Sequence, residues 1–279
     1  IIRKRIVPSQ IARIKALWQR EKQYLLLAQY ITPRAKEMLM EANIPYIDST
    51  GNIFLANKDT FIYIENKNNP QKTEVQKGAF LNKAGLKVVY QFLTDSTLLN
   101  SSYRKIGGSA NVSVDTVKRV IHALLQYGFI VKSSNSDFQW HNKYQLFEDW
   151  VDAYNFKLRP ALDTGNYRFI GKQQRWRNIQ LPADSFWGGA VAAEMLLNYL
   201  IPDKAIVYTG LAINEIRKNL RLVPSSHGNI KIMENFGPMH ASQNCVHPLL
   251  IYADLLNEND PRYKETAYKL YDNHVQYLL

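Results

Sequence analysis

The chain has 279 residues, of which 46% are hydrophobic and 21% charged, enough for two or three cored domains and unlike a disordered chain. Its formal net charge of +11 favours a polyanionic partner over an acidic one. A single cysteine, Cys245, excludes an internal disulfide and points to a reducing compartment. No apolar run approaches the roughly 20 residues that span a membrane, and Ile1 to Gln10 has charge but no apolar core of the signal-peptide kind. A cytoplasmic protein is expected.

The chain opens with an apolar periodicity over Pro8 to Gln29 that predicts one long helix. Thr32 as N-cap and Pro33 in the first turn predict a second helix through Ala42. The period then changes to two. Ile44 to Asp48, Asn52 to Ala56 and Thr60 to Glu65 read as short strands. This makes a small α+β unit over residues 1–70. Lys67 to Lys77 is polar and reads as a linker.

Phe80 to Thr94 opens a second domain, residues 78–156, read as a winged helix-turn-helix. Tyr103 to Gly107 is a short basic helix, and Gly108 to Asn111 a turn. Ser113 caps the next helix, whose Val117, Val120, Ile121 and Leu124 share one face. Gly128 ends it. Phe129 to Lys132 and Phe138 to Tyr144 then form a hairpin. The first turns of a helix in a major groove reach base edges, so Ser113, Thr116, Lys118 and Arg119 are candidate DNA contacts. Tyr103, Arg104, Lys105, Lys132 and Lys143 extend that basic face. An ordinary helical hairpin with a solvated polar face is the competing reading.

Leu146 to Phe156 adds a helix. The last domain, residues 157–279, reads as α+β: a connector Arg159 to Gln180, a helix from Asp184 to Leu200, and a strand Ala205 to Tyr208. A helix Ala212 to Asn219, strands Leu220 to Val223 and Asn229 to Met233, and helices Val246 to Leu256 and Asp260 to Tyr277 complete it. Residues 156–180 carry Lys157, Arg159, Arg168, Lys172, Arg175 and Arg177 against Asp163 alone, with Tyr167, Phe169 and Trp176 interleaved. Cations pair with phosphates and aromatics stack on bases, so Lys172, Arg175 and Arg177 are candidate DNA clamps. A basic strand pair with core aromatics fits the same residues.

Three constellations suggest other chemistry. Asp48 followed by Glu65 and Lys67 matches the carboxylate-carboxylate-lysine pattern of restriction-endonuclease-like nucleases, where two carboxylates hold a divalent metal. Plain turn residues give the same pattern. His240, Cys245 and His247 fit no zinc spacing, and no metal or cofactor is expected. Phe186-Trp-Gly-Gly189 could offer helix N–H groups to a phosphate, but it lacks a Lys and a longer Gly loop, so a packed turn is the better reading.

The run Ile44-Pro-Tyr-Ile-Asp48-Ser-Thr-Gly51-Asn52, the central winged helix, Phe186-Trp-Gly-Gly189, the run His247 to Leu256 with Tyr252-Ala-Asp254, and Asp260-Pro261-Arg262 together resemble AbiEi-type antitoxins of type IV toxin–antitoxin systems. The resemblance implies a bacterial, non-enzymatic repressor of its own operon that binds double-stranded DNA. It implies a nearby nucleotidyltransferase-type toxin that need not be touched directly, and an inactive nuclease-like N-terminal unit. A homodimer is one candidate assembly. In the shared motif, Asp260 is expected to cap the last helix and Asp254 to pair with Arg262.

Overall fold

In the computed structural model the described residues are 2–6, 8–20, 24–49, 51–57, 60–65, 78–133, 137–171, 176–239, 244–258 and 260–279. The expected linker falls outside them. The chain is α+β and divides into two compact units, Ile1–Gln76 and Lys77–Leu279.

The first unit contains β1 (Ile2–Ile6), α1 (Ile11–Arg20), β2 (Leu26–Ile31), α2 (Pro33–Glu41), β3 (Tyr46–Asp48), β4 (Ile53–Ala56) and β5 (Phe61–Ile64). The sheet order is β1-β2-β3-β4-β5; the first three strands are parallel and the last three form an antiparallel meander. The long helix expected from Pro8 to Gln29 is corrected here. The helix ends at Arg20, and Leu26, Ala28 and Ile31 point into the core while Leu27 and Gln29 face out. A leucine run has no preference strong enough to resist two parallel neighbours that bury its face. The second helix follows its local signals: Thr32 Oγ1 accepts the Ala35 N–H, and Pro33 sits in the first turn. Ile11, Ile14, Leu39, Tyr46 and Phe54 fill the core between helices and sheet.

The second unit begins with α3 (Lys83–Thr94), α4 (Tyr103–Ala110) and α5 (Val114–Gln126), then β6 (Ile130–Lys132) paired antiparallel with β7 (Phe138–Trp140). α6 (Lys143–Ala153), a π turn and α7 (Arg159–Leu162) lead into a sheet made of β8 (Asp163–Phe169), β9 (Ser185–Gly188), β10 (Ala205–Thr209), β11 (Leu222–Pro224) and β12 (Ile230–Glu234). α8 (Gly189–Leu197), α9 (Ile213–Leu220), α10 (Pro248–Asn257) and α11 (Pro261–Leu270) complete it. The sheet order is β11-β8-β12-β10-β9, with only β10 and β12 parallel among the described pairs.

Several boundaries move from their expected places. Helix α4 continues through Gly108 to Ala110, and the turn shrinks to Asn111, left-handed at φ 52°. Residues 143 and 144 open α6 and are not part of the hairpin's second strand. The expected connector 159–180 contains β8, a central strand, and the helix expected from Asp184 starts at Gly189 behind β9. Both strands owe their state to partners distant in sequence.

The expected boundary at 156–157 lies inside this unit, along the helical path α6, π turn, α7. One contiguous core runs from Phe80 to Val275. Trp150 joins its parts: its indole N–H donates to the Leu86 carbonyl at 2.9 Å, and its ring stacks on Tyr90 and Tyr154. Burying a side chain of this size contributes on the order of 2–3 kcal/mol. Among the described residues, no helix is long and apolar enough to cross a membrane.

Candidate nucleic-acid interface

Helices α4 and α5 present the face that could meet a duplex. Ser113 ends the turn, and its Oγ accepts the Thr116 N–H at 3.2 Å, so the first turn of α5 is fixed by a side-chain cap. Val117, Val120, Ile121 and Leu124 bury the inner face. Asp115, Lys118, Arg119 and His122 are exposed on the other. Arg119 contacts Asp115 at 3.0 Å with both side chains largely in water. An ion pair of this kind contributes little, so a phosphate can displace it at small cost. Arg104 and Lys105 are exposed in the first turn of α4, Tyr103 is half-buried against the core, and Lys132 is exposed on β6.

Lys143 differs. Its ammonium donates to the Leu278 carbonyl and lies 5.7 Å from the Trp140 ring centroid. Burial lowers its pKa. This cation is turned toward the protein.

Of the basic run after α7, Arg168 is exposed and Arg177 is engaged inside the unit. Lys172 and Arg175 lie outside the described residues. Arg177 donates from Nε to the Glu194 carboxylate at 2.7 Å and from Nη2 to the Glu194 carbonyl at 3.0 Å, which closes the last turn of α8. Tyr167 and Trp176 are buried, and Trp176 packs against Phe169 and Trp187. These aromatics are core, the second of the two readings of that run.

The carboxylate pattern of the first unit is not an open metal site. Asp48 is 3% exposed, and the Asn52 side-chain amide donates to both of its oxygens at 3.0 and 2.9 Å. Glu65 lies beyond β5 and accepts from the Tyr63 hydroxyl at 3.1 Å; β4 stands between the two carboxylates. Lys67 is outside the described residues. Among the described residues, no three His, Cys, Asp or Glu side chains are grouped to hold a metal. His247 caps α10 by accepting the Leu249 N–H on Nδ1, Cys245 is buried with its thiol pushed up to about 11 by burial, and His240 is outside the described residues.

The motif residues of the C-terminal part converge on one buried network. Asp254 is fully buried and accepts from Arg159 Nε at 3.2 Å and from the Tyr208 hydroxyl at 2.9 Å. The Tyr208 hydroxyl also meets that of Tyr154 at 2.5 Å. Burial raises the Asp254 pKa, against the opposing pull of Arg159, Tyr208 and the Gly189 N–H. The expected pairing of Asp254 with Arg262 is therefore corrected: Arg262 binds Asp260 at 2.7 Å, at the start of α11, while Asp254 faces inward. Asp260 does cap α11, accepting the Arg262 N–H at 2.8 Å. The place where Phe186-Trp-Gly-Gly189 could take a phosphate belongs to Asp254, whose carboxylate lies at the amino end of α8. A Cβ at Gly188 would stand 2.6 Å from the Tyr208 ring and 3.0 Å from the Asp254 carboxylate, so only glycine fits. Sequence reasoning missed Arg159, Tyr208 and Tyr154. Asp254 gave one signal: it sits within Leu-Leu-Ile-Tyr-Ala-Asp-Leu-Leu, where a carboxylate without a cation would be costly.

Residues 139–276 match the model of a family described as "Transcriptional regulator, AbiEi antitoxin, Type IV TA system". Over this stretch the chain is similar to the AbiEi antitoxin family. The AbiEi match begins within β7 and spans the residues of the Arg159–Asp254 network. No curated protein and no solved structure matches this chain.

Proposed function

We propose that the chain is a double-stranded-DNA-binding regulator of the antitoxin type, which represses its own operon and has no enzymatic activity. The carrying observation is α5. It follows α4 across a tight turn, is capped by Ser113, and exposes Lys118 and Arg119 opposite a buried apolar face, with a two-stranded hairpin behind it. We read this as a winged helix-turn-helix with α5 in the major groove, where Ser113 and Thr116 meet base edges. Arg104, Lys105 and Lys132 then contact phosphates and set the register. The family match supports the regulatory role. The partner toxin is of the nucleotidyltransferase type and is encoded nearby, and the first unit is an inactive nuclease-like domain. A homodimer would present two α5 helices to a palindromic site.

The test is fluorescence anisotropy with a labelled duplex from upstream of the chain's own gene, against a scrambled duplex, over a salt series. Tighter binding to the upstream duplex, with a steep salt slope, is expected. Equal affinity for both duplexes, or none for either, overturns the reading.

A further inference from the structure

β10 and β12 run parallel side by side, and their carboxyl ends open on a cleft of about 660 Å³. In mixed sheets ligands bind at this edge, because each parallel strand leaves toward a helix whose amino end faces back over the sheet. Tyr167 of β8, Thr209 at the end of β10, Leu211, Arg217 of α9, Ile232 of β12 and Asn235 just beyond it line the cleft.

Three features of the lining point to an anion with a polar appendage. Helix α9 follows β10 directly, its first residue borders the cleft, and no side chain caps it. Uncapped first-turn N–H groups and the helix dipole attract negative charge. Arg217 Nε and Asn235 Oδ1 are shut off from solvent without a hydrogen-bond partner among the described residues. Buried polar atoms are nearly always paired, so each calls for an explanation. The neighbouring hydroxyl and amide groups are already engaged, and the exposed Glu234 carboxylate also borders the cleft. Thr209 Oγ1 meets Ser185 Oγ and accepts the Leu211 N–H, and Asn235 Nδ2 donates to Asp184. That last bond fixes the amide and leaves Oδ1 as an acceptor. Tyr167, Leu211 and Ile232 supply an apolar wall.

We infer that this cleft binds a small phosphorylated ligand, its phosphoryl group on Arg217 and the amino end of α9 and one of its hydroxyls on Asn235 Oδ1, and that occupancy is communicated to α4 and α5. The second clause rests on the DNA-binding reading of α5. The path is short. Phe236 packs its ring 5.0 Å from that of Tyr90 on α3. Gly237, at φ 139°, lies so close to α4 that a Cβ would stand 2.7 Å from the Ser109 carbonyl oxygen. The Pro238 carbonyl accepts from Gln91 at 3.2 Å and the Met239 carbonyl from Tyr90 at 3.0 Å. Residues 236–239 thus tie the cleft's Asn235 to the helices before α5. A close-packed interior passes a displacement of Asn235 along this strap.

The experiment is an amide-shift titration of the full chain with inorganic phosphate and with ribose 5-phosphate, against potassium chloride of equal ionic strength. Saturable shifts at Gly210 to Asn214 and at Asn235 to Gly237 are expected. Arg217→Gln should weaken binding of both probes by about tenfold or more, and Asn235→Ala that of ribose 5-phosphate alone. No saturable shift at these amides with either probe, or binding unchanged by Arg217→Gln, overturns the site whether or not the chain binds DNA. The second arm repeats the upstream-duplex measurement with saturating ribose 5-phosphate. A several-fold change in duplex affinity, reduced in Gly237→Ala, is expected, since linkage makes the two bindings reciprocal. Unchanged affinity, or no duplex binding at all, overturns the communication and leaves the site to be judged by the amides.

Discussion

Asp254 and Arg159 meet at 3.2 Å with the carboxylate fully buried and the guanidinium nearly so. Removing one member of such a pair leaves a buried charge without its counter-ion, which costs about 3–5 kcal/mol. Asp254→Ala should therefore lower the unfolding free energy by that amount in urea. Asp254→Leu combined with Arg159→Met should recover much of the loss, because two apolar groups of similar size replace two desolvated charges. A single-variant loss below about 1 kcal/mol would show that water reaches the pair.

Lys118 and Lys143 should behave in opposite ways. Lys118 is exposed on α5, while Lys143 is tied to the Leu278 carbonyl. Lys118→Ala should weaken duplex binding and reduce the salt slope by roughly one. Lys143→Ala should leave the slope alone and lower the melting temperature. A slope that drops equally in both variants would mean that Lys143 swings out to the phosphates.

What could be read from the sequence divides by distance along the chain. The caps at Thr32, Ser113 and Asp260 were legible because cap and bonded N–H lie two or three residues apart. Leu26 to Ile31 was not, since its state is set by pairing with β1 and β3. β8 and β9 were hidden for the same reason. The basic face of α5 was legible because helical period separates it from the buried valines. The partner of Asp254 was not: Arg159 lies 95 residues away, and the nearby Arg262 offered a local pairing that proved wrong. Arg177 read as a surface cation because nothing local reveals that Glu194 is its partner.

Cys245 gives a pH-dependent probe. Its thiol is raised from 9.0 to about 11 by burial, so the folded state favours the neutral form. A raised pKa contributes stability that is fully present below pH 9 and lost as pH rises toward about 11. Alkylation requires the thiolate, so at pH 8 the native protein should react far more slowly with iodoacetamide than the urea-unfolded chain. Equal rates would mean that the 244–247 segment is open in the native state.

The first unit should not cleave DNA. Asp48 has its oxygens bound by Asn52, and Glu65 stands two strands away. Supercoiled plasmid incubated with Mg²⁺ or Mn²⁺ should remain supercoiled. Nicking that vanishes in both Asp48→Ala and Glu65→Ala would reverse this and make the unit a working nuclease.

Arg177 should matter for folding and not for DNA. Its guanidinium holds the Glu194 side chain and carbonyl and the Asn198 side chain, so it closes the carboxyl end of α8 where the chain turns left-handed at Asn198. Helix carbonyls at this end lack intrahelical donors, and a cation there also opposes the helix dipole. The side chain is half in water, which holds the expected loss in Arg177→Ala to about 1 kcal/mol. Arg177→Lys should recover only part of it, because an ammonium cannot reach three acceptors in one plane. Duplex affinity and its salt slope should match the unsubstituted chain in both variants. A slope shallower by about one in Arg177→Ala, with stability unchanged, would instead make this arginine a phosphate clamp and extend the DNA footprint onto the sheet.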